Sequence, residues 1–429
     1  MKFILLISSL LVSLVAGAQI PDAVYSPRIK SVQLYNTGNQ LSLPVLGLNS
    51  SNRLELHFDD LDGNVKNYSY TFQLCDADWT PVTTLSSFDY IKGFTQQRIN
   101  TYRVSSVAFT RYTHYQAAVP DNNCAPSRSG NYILKVFQNG DTSKLIFTKR
   151  MLVVDNQCNI AARIQQPFSG EIFRTWQKIP FQIALSDKIQ VLNHLQQIKV
   201  VILQNNNWKT ALLKVKPTFF TGKKLDYNTE TEIVMPAGKE YRWLDLRSFR
   251  LQSDRVERAN YSPRSTEVFV KPDADRSRQR FVYYRDINGM YTIETSENLN
   301  PFWQSDYASV YFSFVPPDNV PFANKDIFLF GQLTNYNTDD SAKMTFNNAK
   351  GVYEKTLFLK QGYYNYNYVT IDQNDPKRAL SFEFTEGNYW ETENIYTILV
   401  YYRALAGRAD ELIGITNINS LTGREGVGQ

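Results

Sequence analysis

Tyr132-Ile133-Leu134-Lys135-Val136-Phe137, then Asn139-Gly140, then Leu145-Ile146-Phe147 running on to Val153-Val154, is the stretch that decides the fold. Two β-branched and aromatic runs flank a dipeptide whose residues accept the positive φ angles of a tight primed turn, which predicts a β-hairpin. Working back along the chain, Leu54-Glu55-Leu56-His57-Phe58 alternates apolar and polar, Asp62-Gly63 is a turn signal, and Tyr68 to Leu74 resumes the alternation. That pattern predicts a second hairpin with one wet face. Short strands with a turn about every ten residues indicate a β-sandwich. The expected fold class is mainly β: tandem immunoglobulin-like, early-set β-sandwich domains with few short helices.

The length of 429 residues allows about three domains of roughly 150 residues each. Residues 25–155 read as an N-terminal β-sandwich and 156–272 as a middle β domain. There, Ile198 to Leu203 is a buried strand, Asn205-Asn206-Asn207 turns the chain and Trp208 to Val215 returns it. A short helix is expected between Ser186 and Gln197, and Tyr241 to Ser248 reads as an ordered crossing between sheets. Residues 273–280 hold three Arg and two Asp with almost no apolar side chain, the composition of a solvated linker. Residues 281–405 read as a C-terminal early-set-like sandwich, and 406–429 as a fraying tail.

Composition supports strands: 27 Tyr and 26 Phe against only 20% charged residues suit pleated, half-buried surfaces. The net charge of +5 comes from interspersed charges, so no basic face for nucleic acid is expected. Met1-Lys2, the apolar run Phe3 to Val15 and the small residues Ala16-Gly17-Ala18 have the form of a secretory signal peptide over residues 1–18, with Gln19 as the mature N-terminus. No later stretch is long and apolar enough for a transmembrane helix. The polar ending Gly423 to Gln429 and the irregular hairpin lengths argue against a membrane barrel, so no direct membrane span is expected. Export permits disulfides. Of Cys75, Cys124 and Cys158, the pair Cys75–Cys124 lies in one domain and could join, or both thiols could stay reduced and buried.

Catalytic constellations are absent from the pattern. Three histidines, His57, His114 and His194, would have to supply any imidazole base. His57 and His114 read as sheet-face residues. No phosphate loop or His-Glu-x-x-His pair occurs. Asp59-Asp60-Leu61-Asp62-Gly63 has calcium-like character but no distal Glu at position twelve, and reads as a polar turn. No catalytic residue, cofactor or metal is expected. The segment Phe88, Tyr90, Lys92, Gly93, Phe94, Gln96, Gln97 and Arg98 breaks strand alternation, mixing aromatics with polar residues and Gly. It reads either as an exposed partner-contact loop or as core filler through Tyr90 and Phe94.

Two resemblances follow. Phe328-Leu329-Phe330-Gly331 to Tyr336, with Gly351-Val352-Tyr353 and Gly362-Tyr363-Tyr364, resembles starch- and glycogen-binding β-sandwich modules, with Tyr336 where such modules commonly carry Trp. That keeps a carbohydrate-binding protein of an envelope saccharide-uptake system as the alternative function. The order of Leu54 to Gly63, Tyr70 to Trp79 and Asp89-Tyr90-Ile91-Lys92-Gly93-Phe94-Thr95-Gln96-Gln97-Arg98-Ile99, followed by Thr113-His114-Tyr115 and Arg128 to Tyr132, resembles the plug protein family of the Bacteroidota type IX secretion system. The resemblance implies a periplasmic, non-enzymatic subunit. It would be held at the outer membrane by docking on the large translocon β-barrel and occluding its periplasmic opening.

Overall fold

A computed structural model describes residues 21–262 and 264–424; the signal-peptide segment lies outside the described residues. The fold is mainly β, with three four-residue α-helices, Ser87–Tyr90, His194–Gln197 and Pro301–Gln304, among the described residues. The expected short helix near Gln197 is the second of these.

The first domain is a two-sheet sandwich. One sheet orders Ala23–Val24, Leu145–Val154, Gly130–Gln138, Tyr68–Cys75 and Gln97–Ile99, with Val45–Gly47 parallel against Leu145–Val154. The other orders Ile29–Asn36, Leu54–Asp60, Thr113–Val119 and Thr101–Val104. Leu56, Phe58, Tyr70, Leu134, Phe147 and Met151 fill the space between. The deciding hairpin forms, with Tyr132 opposite Met151. Asn139 and Gly140 take φ of 56° and 69°, but the loop is longer than two residues: Gln138 N–H donates to the Lys144 carbonyl, and Lys144 N–H to that of Asp141. Leu54–Asp60 and Tyr68–Cys75, expected to pair, belong to opposite sheets and face each other across the core. The edge-on contact of Phe58 with Tyr68, 5.2 Å between rings, is a contact across the sandwich. Both strands have one apolar face, and alternation alone cannot say whether two such faces lie side by side or opposed.

The second sandwich is discontinuous. Cys158–Ala162, Phe181–Leu185, Lys224–Tyr227 and Phe219–Thr221 form one sheet; Asn207–Leu212, Ile198–Gln204, Ile395–Tyr402 and Glu411–Asn419 form the other. The turn at Asn205 and Asn206 is present, both at positive φ. The C-terminal segment is therefore no fraying tail up to residue 419. Leu412 and Ile413 are buried, and their strand runs antiparallel to Ile395–Tyr402.

The third domain starts earlier than expected. Arg242–Asp245 pairs with Tyr363–Tyr366, and the hairpin Val256–Ser262 with Ser265–Val270 joins Tyr307–Val315 in parallel. The presumed linker is packed. Asp273 is buried and bonds Arg242, Tyr366 and Tyr368, while Arg276 pairs with buried Glu386. A charge run looks solvated when its counter-charges sit some hundred residues away in the sequence, as Glu386 does from Arg276.

The domains are locked together. Cys75, Ala77, Trp79, Ile133 and Leu152 of the first meet Val201, Leu203, Leu399, Tyr401 and Leu412 of the second in one apolar cluster. Asp410 accepts from Ala77 N–H at 3.0 Å and from Lys199 at 2.8 Å. Gln40 of the first domain exchanges two hydrogen bonds with the Ile293 backbone of the third, at 2.7 and 3.2 Å.

Candidate docking surface

The segment Phe88 to Arg98 divides its side chains between core and solvent. Helix Ser87–Tyr90 is closed by a capping box in which Asp89 accepts from Ser86. That box turns Tyr90 inward, where it lies buried against Tyr132, and leaves Phe88 outward, 78% exposed. Ile91–Gly93 pairs with Cys124–Pro126. Gly93 has φ of 87°, and a Cβ there would lie 2.2 Å from the Asn123 carbonyl oxygen, so the close approach requires glycine. Phe94 follows, 68% exposed, its N–H donating to Asn123 at 2.5 Å. Lys92, Gln96 and Arg98 are exposed, and Gln97 half-buried. Thr71 Oγ1 donates to the Thr95 carbonyl, and Arg98 reaches the Asn67 side chain. Of the two residues expected as core filler, Tyr90 is core and Phe94 is not; Phe88 and Phe94 are at the surface.

The chain then crosses to the other sheet, where every residue of Thr101–Val104 is exposed. Tyr102, Val104, Val107 and Phe109 are exposed apolar side chains that the sequence reading left out. One signal could have found them: from Tyr90 to Pro120 there is no Asp or Glu, but Lys92, Arg98, Arg103 and Arg111 are present. The stretch is therefore basic as well as aromatic in composition, residue types that bury area at modest entropic loss in a contact.

The three cysteines are free thiols, and Cys75 and Cys124 are not joined. Cys75 faces the apolar contact with the second domain and Cys124 the core of the first sandwich. Cys75 ends a strand of the large sheet and Cys124 opens a strand of the separate Ile91–Gly93/Cys124–Pro126 ribbon, and their side chains pack into different apolar clusters. Burial pushes both thiols up to about 12.

His57 and His114 come together at the seam with the third domain. His114 Nδ1 lies 2.7 Å from Asp59 Oδ1, and its Nε2 lies 3.0 Å from His57 Nδ1. Asp59 Oδ2 accepts from Tyr307 at 2.6 Å and Lys360 at 2.5 Å, and Phe302 stacks on His57 at 4.1 Å. Burial pushes His57 down to about 3, helped by neighbouring His114. Burial alone would raise Asp59, but Lys360 and His114 outweigh it and hold the carboxylate below its ordinary range. The group is buried on all sides and braces two domains. Asp59 and Asp60, expected in a polar turn, close a strand with both side chains buried; Asp60 accepts from Tyr68 at 2.9 Å. Among the described residues, no cluster of three or more His, Cys, Asp or Glu side chains is placed to hold a metal.

A cleft of about 370 Å³ opens where the three domains meet, between Pro44, Arg150, Trp208, Met290 and Tyr336. Tyr336 is not a free platform for sugar: its hydroxyl donates to the Gly289 carbonyl at 3.2 Å and its ring packs edge-on against Phe330.

Residues 29–155 match the family model described as type 9 secretion system plug protein 1st domain. Among solved structures, the chain is similar to a hypothetical protein from Parabacteroides merdae ATCC 43184, with a TM-score of 0.88 and 28% identity. The match covers 94% of this chain and 100% of that one. No curated protein matches.

Proposed function

We propose, from a first domain that belongs to the type 9 secretion system plug family, that this chain docks on the periplasmic opening of that system's outer-membrane translocon barrel and occludes it. The observation that carries the reading is the family match over residues 29–155. The architecture supports it. An occluding body must hold its shape under load, and here three sandwiches are joined through an apolar cluster and a buried Asp59–Lys360 pair rather than through free linkers. No helix among the described residues is long and apolar enough to cross a membrane; in this reading the chain is held at the envelope by its partner. The reading assigns a periplasmic location, a secretion-system partner and no catalysis. The saccharide-binding alternative has lost its best aromatic platform, because Tyr336 is committed to packing.

The test is electrical. Translocon barrels purified from a strain lacking this chain are placed in planar bilayers and conductance is recorded before and after adding the chain to the periplasmic side. The reading expects a large open conductance that falls on addition. A conductance indifferent to the chain contradicts it.

A further inference from the structure

We infer that the strand Thr101–Val104 is an open β-edge that receives an added strand from the docking partner, an extended segment bearing acidic side chains. The inference rests on the docking role above and names where that docking is made.

The register exposes the edge. Among the described residues, Thr101–Val104 pairs with Thr113–Val119 alone. Ser105 N–H donates to the Tyr112 carbonyl at 2.8 Å. In an antiparallel ladder, hydrogen-bonded pairs alternate, so Arg103 and Thr101 also exchange bonds with that neighbour. The N–H and C=O groups of Tyr102 and Val104 therefore point away from the sheet. They offer donors and acceptors in the spacing that strand addition uses.

The side chains leave the same edge unfinished. Tyr102 lies opposite Tyr115, a core residue, and the two rings approach to 5.9 Å. Tyr102 and Val104 thus project on the core face, yet they are 44% and 48% exposed because the sandwich ends there. Natural edges are commonly guarded by Pro, a bulge or an inward charge. This strand has no Pro and its register against Thr113–Val119 runs without a shift. Its one charge, Arg103, is drawn aside over the Trp303 ring of the third domain, 5.9 Å from the centroid. The loop beyond is held in place: Ser106 N–H donates to the Trp303 carbonyl at 2.9 Å, and the Phe109 and Thr110 N–H groups donate to the Asp306 carboxylate at 2.9 and 3.0 Å. Val107, a β-branched residue, is kept at φ of 71°, a conformation it would leave if the loop were free. An edge ordered in advance loses less entropy when a strand adds.

Charge selects the occupant. Residues 90 to 120 hold four cations and no acid, in a chain whose charges are otherwise mixed. A second copy adding antiparallel would set these cations against each other, which is unfavourable. An extended segment with Asp or Glu facing the arginines, and alternate apolar residues covering Tyr102 and Val104, satisfies both the backbone and the charge.

The experiment uses the tagged full chain and detergent-solubilised outer membranes of the source bacterium lacking its own copy, with the captured barrel identified by mass spectrometry. Val104→Pro removes an outward N–H that the internal ladder does not use. Arg103→Glu reverses the charge. Both variants are expected to keep the wild-type melting temperature and to recover the barrel about tenfold less well or worse. Independently of any variant, the 101–104 amides of the wild type should exchange more slowly in the captured complex than alone. Wild-type recovery by both variants, or unchanged exchange over 101–104, overturns the inference while leaving docking intact. If Val104→Pro instead dissolves a dimer of the free chain, the occupant is a second copy and the inference fails. Failure of the wild type to capture any barrel sinks the docking role and the edge with it.

Discussion

Gly93 carries the sharpest local demand in the candidate docking segment. Its φ of 87° and the 2.2 Å approach of the Asn123 carbonyl to a would-be Cβ act together. Gly93→Ala should destabilise the chain by about 1–3 kcal/mol, read as a lower urea midpoint, and should displace Phe94; an unchanged midpoint contradicts the account. Glu240 works the other way. Burial, with Asp286 and Glu393 adding to it, pushes its carboxyl up to about 8, and Oε2 has no hydrogen-bond partner among the described residues. Between the ordinary value of 4.5 and about 8, the unfolded chain releases a proton that the folded chain retains, so stability falls as pH rises through that window. Glu240→Gln removes the effect and should raise stability at pH 8 by about 2 kcal/mol. His57 has the opposite sign. With its pKa lowered from 6.5 to about 3, its contribution is full above pH 6.5 and is lost as pH falls toward 3, by up to about 1.4 kcal/mol per pH unit. Urea midpoints at pH 7, 5.5 and 4 should fall more steeply for the wild type than for His57→Asn; parallel slopes contradict the assignment.

At the scale of elements, local signals and long-range partners part company. Asn139-Gly140 and Asn205-Asn206 announced turns that form, because positive φ is a property of those residues. Phe88 to Arg98 was visible as a break in alternation, and Phe88, Gly93 and Phe94 lie on the surface. What could not be read was which apolar face meets which. Leu54–Asp60 and Tyr68–Cys75 looked like a hairpin and proved to be opposite walls of a sandwich. Glu411–Asn419, with Gly414 in its middle and polar residues around it, looked like a tail, yet it closes the second sandwich beside Ile395–Tyr402. The exposed edge Thr101–Val104 gave no periodic signal at all, only the missing acids around it. The strand at 411–419 makes its own prediction. A chain ending at residue 407 should lose the cooperative thermal transition of the second sandwich and expose Leu399 and Tyr401 to solvent, seen as dye binding to apolar surface. A truncated chain that melts like the full one contradicts the topology.

The whole molecule behaves as a brace of three sandwiches. The Asp59–Lys360 pair, with His57, His114 and Tyr307 around it, joins the first domain to the third. Removing one partner leaves a buried charge alone, so Asp59→Ala should cost about 3–5 kcal/mol and split denaturant unfolding into separate steps. A single transition at the wild-type midpoint contradicts the brace. For the proposed occluding role rigidity matters, because a plug that flexes leaks; the apolar cluster joining Trp79 and Leu152 to Leu399 and Leu412 braces the first domain against the second. The most direct measurement of the central claim is uptake of a bulky, normally excluded antibiotic by cells that lack this chain and by cells complemented with it. Occlusion predicts that the deletion admits the compound and that complementation restores exclusion. Equal exclusion by both strains, with the translocon barrel present at normal levels, would contradict it.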